Sequence, residues 1–203
     1  MSLATGVWAV VPVKDLRGTK SRLAPILDPG ARAGLTLYMM GRVVAAIRDA
    51  GVEDVCVVSP DRIVLDEAQG RGATPLVQKS RGLNPALEEG RRRALGLGAR
   101  TLLVFPADLP LLDAADVRAV LRAADGPSVV ISPDGARSGT NSLLIRPPDA
   151  LPFAFGTDSF EAHFEAACWH GLEVGVCERP NLAFDLDTAA DLARPKKSGA
   201  ARP

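Results

Sequence analysis

Apolar, β-branched runs alternate with stretches of helical spacing along most of this chain. Residues 7–13, 55–59, 101–105, 129–132, 142–145 and 172–177 each read as a strand. Between the first two runs, Leu35, Met39, Val43 and Ile47 recur at helical spacing within 31–50, a helix that Gly51 ends. Further helices are expected over 86–97, 114–124 and 160–169, the middle one opened by Asp113 as N-cap. Strands separated by helices predict βαβ units, right-handed crossovers and a mostly parallel sheet. No internal repeat interrupts the pattern.

A length of 203 residues suits one α/β domain with a substantial core. Lys plus Arg balance Asp plus Glu at 24 each, so the chain lacks the overall basic field of a nucleic-acid binder, and anion recognition must be local. Cys56, Cys168 and Cys177 have neither metal-ligand spacing nor the density of a disulfide framework, and read as small core residues of a reducing interior. The first apolar run has no positive region before it, and Pro12 and Lys14 end it far short of a membrane span. A cytoplasmic protein without a membrane partner is expected. The polar tail beyond Asp191 is rich in basic and small residues and is expected to be disordered, leaving one domain over 1–193 and a tail over 194–203.

Candidate chemistry gathers where strands end. The first strand empties into a loop over 14–25 carrying Lys14, Arg17, Lys20 and Arg22 around Gly18, a set suited to a triphosphate at the carboxyl edge of a sheet. It is not a P-loop, since the upstream glycine is missing; the plain alternative is a solvated basic loop. The strand at 101–105 runs on to Asp108, placed either to hold Mg2+ or to cap a turn. Asp185 and Asp187, two apart in an extended segment, project to one face, where a cation between them would relieve their repulsion. Alternatively, Asp187 caps a short helix over 188–192. Gly139, Thr140 and Asn141 could bind a small phosphorylated acid, and residues 156–159 lead into a helix whose first amides could take an anion; ordinary turns and caps explain both as well. His163 and His170 read as packed or surface histidines, and Arg91, Arg92 and Arg93 as a solvated helix face.

In one order, Pro12-Val-Lys14 with Lys20-Ser-Arg22-Leu23, Gly82-Leu-Asn84-Pro-Ala-Leu87, Pro106-Ala-Asp108-Leu-Pro110, Gly139-Thr-Asn141, Gly156 with Ser159-Phe160 and His163, and Asp185-Leu-Asp187-Thr188 resemble one family. It is the 2-phospho-L-lactate or phosphoenolpyruvate guanylyltransferases of coenzyme F420 biosynthesis, and the likeness runs from Trp8 to about Leu192. The resemblance implies a single-domain, nucleotide-diphospho-sugar-transferase-like (Rossmann-like) three-layer α/β sandwich with GTP across the carboxyl edge of the sheet. It implies that Thr140, Gly156 and Ser159 hold the phosphorylated acid and that Asp108, Asp185 and Asp187 bind Mg2+. Lys14, Lys20 and Arg22 fall near the triphosphate, Leu83 and Asn84 near the guanosine, and Asp108, Lys14 and Lys20 carry the catalytic role. The acid's phosphate would attack the α-phosphorus of GTP, a reaction needing positioning and charge neutralisation rather than a general base.

Three acids fit at this stage: phosphoenolpyruvate, 2-phospho-L-lactate and 3-phospho-D-glycerate. A molybdenum-cofactor guanylyltransferase of the same fold, or a nucleotide sensor without chemistry, is the alternative. The start of the former resembles Leu-Ala-Gly-Gly, where this chain has Val11-Pro-Val-Lys14. The apolar segment 151–155 is read as an exposed edge through which the chain could form a homodimer.

Overall fold

The computed structural model describes residues 6–193; the expected tail over 194–203 lies outside them. Seven strands form one sheet in the order β3-β2-β1-β4-β6-β5-β7. They are β1 (Val7–Pro12), β2 (Asp54–Ser59), β3 (Thr74–Val77), β4 (Thr101–Val104), β5 (Val129–Pro133), β6 (Thr140–Ile145) and β7 (Val174–Val176). All pairings are parallel except those of β6, which runs antiparallel to β4 and β5.

The helices are α1 (Pro29–Asp49), α2 (Arg62–Gly70), α3 (Leu83–Gly96), α4 (Ala114–Ala123), α5 (Ser159–Trp169) and α6 (Ala189–Leu192). The pleat of β1 divides the core between two faces. Val7, Ala9 and Val11 pack with Met40, Val43 and Ile47 of α1, Val64 of α2 and Val117 of α4. Trp8 and Val10 pack on the other side with Ala86 and Leu87 of α3 and Ala167 of α5. The result is the expected three-layer sandwich. Asp113 opens α4 with a capping box in which Asp116 answers, as its position suggested.

Helix α3 lies close on the sheet at Gly90. A Cβ there would fall 2.6 Å from Val10 Cγ1 and 3.2 Å from Val58 Cγ2, so only glycine permits this approach. The chain steps from β1 outward to β2 and β3, then returns to place β4 on the other flank of β1. That reversal opens a crevice beyond the carboxyl ends of β1 and β4, where ligands bind in sheets of this kind.

Every strand and helix expected from the pattern forms, and two further elements appear, β3 and α2. Three expectations are corrected. Arg91 is buried, 6 % exposed, rather than solvated: its guanidinium donates to Leu151 O at 2.7 Å and covers the Phe153 ring at 3.8 Å. Cys56 and Cys177 are core residues, but Cys168 is exposed because it sits on the outer side of α5. Leu151 and Phe153 of the 151–155 segment are buried in the core, so that segment is not the exposed apolar edge expected. No helix among the described residues is long and apolar enough to cross a membrane.

Candidate active site

The crevice at the carboxyl ends of β1 and β4 is a cleft of about 760 Å³, lined by the loop after β1, the segment from the end of β3 into α3, the approach to Asp108, residues of α1, and Pro60, Phe155 and Asp187. The loop after β1 folds into two 3₁₀ turns, Leu16–Gly18 and Ser21–Leu23. Between them Lys20 adopts a left-handed backbone (φ 46°), a conformation a side-chain-bearing residue rarely takes, while Gly18 does not need its freedom. This backbone turns the Lys20 side chain inward, leaving it only 7 % exposed.

The Lys20 ammonium donates to Asp187 Oδ1 at 2.8 Å and to Asp108 Oδ2 at 3.0 Å. Arg22, largely exposed and not among the residues lining the cleft, approaches Asp187 Oδ2 at 3.5 Å. Burial works against the charge on Lys20, but Asp108 and Asp187 outweigh it and hold the ammonium above the ordinary lysine range. Asp185 lies beside them, and burial followed by the negative charge of Asp108 pushes its carboxyl up, with Asp187 adding to the effect. The cap of α6 is Thr188, which shares a capping box with Asp191, so Asp187 is left free of that duty.

Three carboxylates against Lys20 and the more distant Arg22 leave an excess of negative charge. An all-oxygen acidic set of this kind fits a hard divalent cation. Among the described residues no three His, Cys, Asp or Glu side chains stand as a metal cage; Lys20 lies between Asp108 and Asp187.

Lys14, Lys20, Leu83, Asp108 and Asp187 all line the cleft. So do Gln78, Lys79, Ser80 and Arg81, which the sequence reading passed over. They follow β3, and the basic run after an unrecognised strand was the signal. Glu89 holds this loop by accepting from the backbone amides of Lys79 at 2.9 Å and Ser80 at 2.7 Å.

Asn84 faces elsewhere. Its amide donates to Phe155 O at 3.0 Å and accepts from Phe155 N at 2.9 Å, so it braces the segment that brings Phe155 to the cleft. Thr140 is buried at the start of β6, and Ser159 is buried as the first residue of α5. Exposed Gly156 (φ 141°) makes a bend between Phe155 and α5 that an L side chain would strain. None of these three residues lines the cleft.

The family described as "Guanylyl transferase CofC like" matches this chain over residues 7–195. A phosphoenolpyruvate guanylyltransferase from Rubrobacter xylanophilus is 63 % identical over 194 residues, covering 95 % of each chain. Another from Sphaerobacter thermophilus is 44 % identical over 185 residues, covering 91 % of this chain and 89 % of its own. Among solved structures, a protein described as a nucleotide-diphospho-sugar transferase from Desulfovibrio desulfuricans superposes with a TM-score of 0.74. It covers 96 % of this chain and 89 % of its own at 16 % identity, a likeness of fold alone.

Proposed function

The chain belongs to the CofC-like guanylyl transferases, and from that premise we propose that it transfers GMP from GTP to the phosphate of phosphoenolpyruvate, releasing pyrophosphate, in coenzyme F420 biosynthesis. The observation that carries the reading is Lys20, clamped between Asp108 and Asp187 at the carboxyl edge of the sheet. A buried cation among acidic groups beside a basic loop is equipment for handling phosphates, not for proton abstraction. The names of the relatives put phosphoenolpyruvate ahead of 2-phospho-L-lactate and 3-phospho-D-glycerate.

On this reading GTP lies along the cleft, its triphosphate against Lys14, Lys20 and Arg22 and its base toward Leu83 and the 78–81 loop. Asn84 serves that side indirectly, as the brace of Phe155. Asp108, Asp185 and Asp187 would hold Mg2+, which when bound supplies charge neutralisation to phosphate oxygens. The acid is held by Thr140, the backbone at Gly156 and Ser159. Its phosphate oxygen forms a bond to the α-phosphorus as the bond to the β-phosphate bridging oxygen breaks. The electron pair leaves on pyrophosphate, where Lys14 and Lys20 stabilise it. The nucleophile is already an anion, which agrees with the absence of a histidine among the residues lining the cleft.

Pyrophosphate release measured with GTP, Mg2+ and each of the three acids, with ATP and CTP as controls, tests the proposal. Release with GTP and phosphoenolpyruvate is expected. Equal release with CTP, or none with any acid from a protein that still binds GTP, would refute it and favour a different transferase or a sensor.

A further inference from the structure

His163 is fully buried in α5, yet every polar atom of its ring is engaged. Its Nε2 lies 3.0 Å from the backbone amide of Ala154, which can only donate, so Nε2 carries no proton and accepts. Burial pushes the imidazole down to about 4, and the ring is therefore neutral. A neutral ring with a bare Nε2 has its proton on Nδ1. That Nδ1–H lies 3.1 Å from Thr140 Oγ1, and the ring also interacts with the backbone of Ser159 one helical turn earlier. The Phe155 ring closes the remaining side edge-on, its centroid 4.8 Å away.

One imidazole thus touches all three pieces of chain that carry Thr140, Gly156 and Ser159. It holds the strand start through Thr140, the approach to Gly156 through Ala154, and the helix start through Ser159. We propose that His163 is the positioning residue of the acid subsite: by donating to Thr140 Oγ1 it fills one of that oxygen's two acceptor positions and turns the threonine hydroxyl hydrogen away from the ring, toward a ligand oxygen. Thr140 then presents its hydroxyl as a donor, which suits a phosphate or carboxylate oxygen. This inference rests on the proposed function, in which Thr140 contacts the acid.

Two kinetic comparisons and one spectrum test it. Thr140→Val should raise KM for the acid by about tenfold while KM for GTP holds, the expected size for one lost hydrogen bond to a charged group. His163→Leu should give the same split in a folded protein. His163→Asn, which keeps an N–H near the Nδ1 position, should recover most of the loss. In the Thr140→Val background His163→Leu should cost less than it does alone, because part of its action passes through the hydroxyl. In the unmodified protein, the nitrogen resonances of His163 at neutral pH should show a protonated Nδ1 and a bare Nε2, whichever variants fold. An Nε2–H tautomer overturns the inference. So does a His163→Leu protein whose KM for the acid is unchanged while Thr140→Val raises it. If Thr140→Val itself leaves that KM unchanged, the placement of the acid fails first and the inference falls with it.

Discussion

At the scale of single residues, the chemistry rests on charges that offset one another across long stretches of chain. Lys20 reaches Asp108 and Asp187 across 88 and 167 positions. The aspartates were legible because each ends an extended segment, but no local pattern announces that an ammonium will join them. Lys20→Met should leave three acidic groups facing one another. Its melting temperature should drop in chelator and recover in millimolar Mg2+, with turnover lowered by about 10²-fold or more in both. A melting temperature indifferent to Mg2+ would remove the aspartates from cation binding. Asp185→Asn acts in the opposite sense. Burial and Asp108 already make the Asp185 charge costly, so the amide should stabilise the protein in chelator while abolishing turnover. His163 adds a pH term. Its ionisation falls from 6.5 in the unfolded chain to about 4, so between those values the unfolded state binds the proton and the native state does not. Stability therefore declines as pH drops from 6.5 toward 4, by about 3 kcal/mol in all, and this component does not grow further below it. Urea unfolding at a series of pH values should show a shallower decline in His163→Leu; identical slopes would contradict the buried neutral ring.

At the scale of elements, strands with both faces buried announced themselves as continuous apolar runs, and α1 and α4 as periodic ones. β3 did not, because it is a short edge strand of alternating exposure with Pro75 inside it, a residue that edges tolerate and central strands do not. Missing β3 hid the Gln78, Lys79, Ser80 and Arg81 loop that follows it. α2 carried readable signals, the Asp61 cap and Val64, Leu65 and Ala68 at helical spacing. The burial of Arg91 was not readable, since its partner is a backbone carbonyl 60 positions away. The seating of α3 should govern the nucleotide side of the cleft, because Leu83 at its start lines the cleft and Gly90 sets its distance from β1. Gly90→Ala should therefore destabilise the fold by about 1–3 kcal/mol through overpacking. As α3 is lifted, KM for GTP should rise more than KM for the acid. A loss of stability with both constants unchanged would separate the helix from the site.

At the scale of the whole molecule, the charges of the chain cancel, so the protein projects no broad positive field and a polyanion must be recognised at contact range. The cleft lies where the sheet reverses direction, between β1 with its basic loop and β4 with the approach to Asp108, and a triphosphate there bridges parts of the chain that separate on unfolding. Binding should then appear as global stability by mass action. GTP with Mg2+ at a hundredfold excess over its dissociation constant should add about 2.7 kcal/mol, or roughly 5–10 °C in melting temperature for a chain of this size. Duplex DNA, equally anionic but too wide to enter the cleft, should add almost nothing. The comparison with CTP at equal concentration decides whether selection lies in the base or in the phosphates. A shift as large as that with GTP would assign the binding to the triphosphate side alone and leave Leu83 and the 78–81 loop without a role in reading guanine.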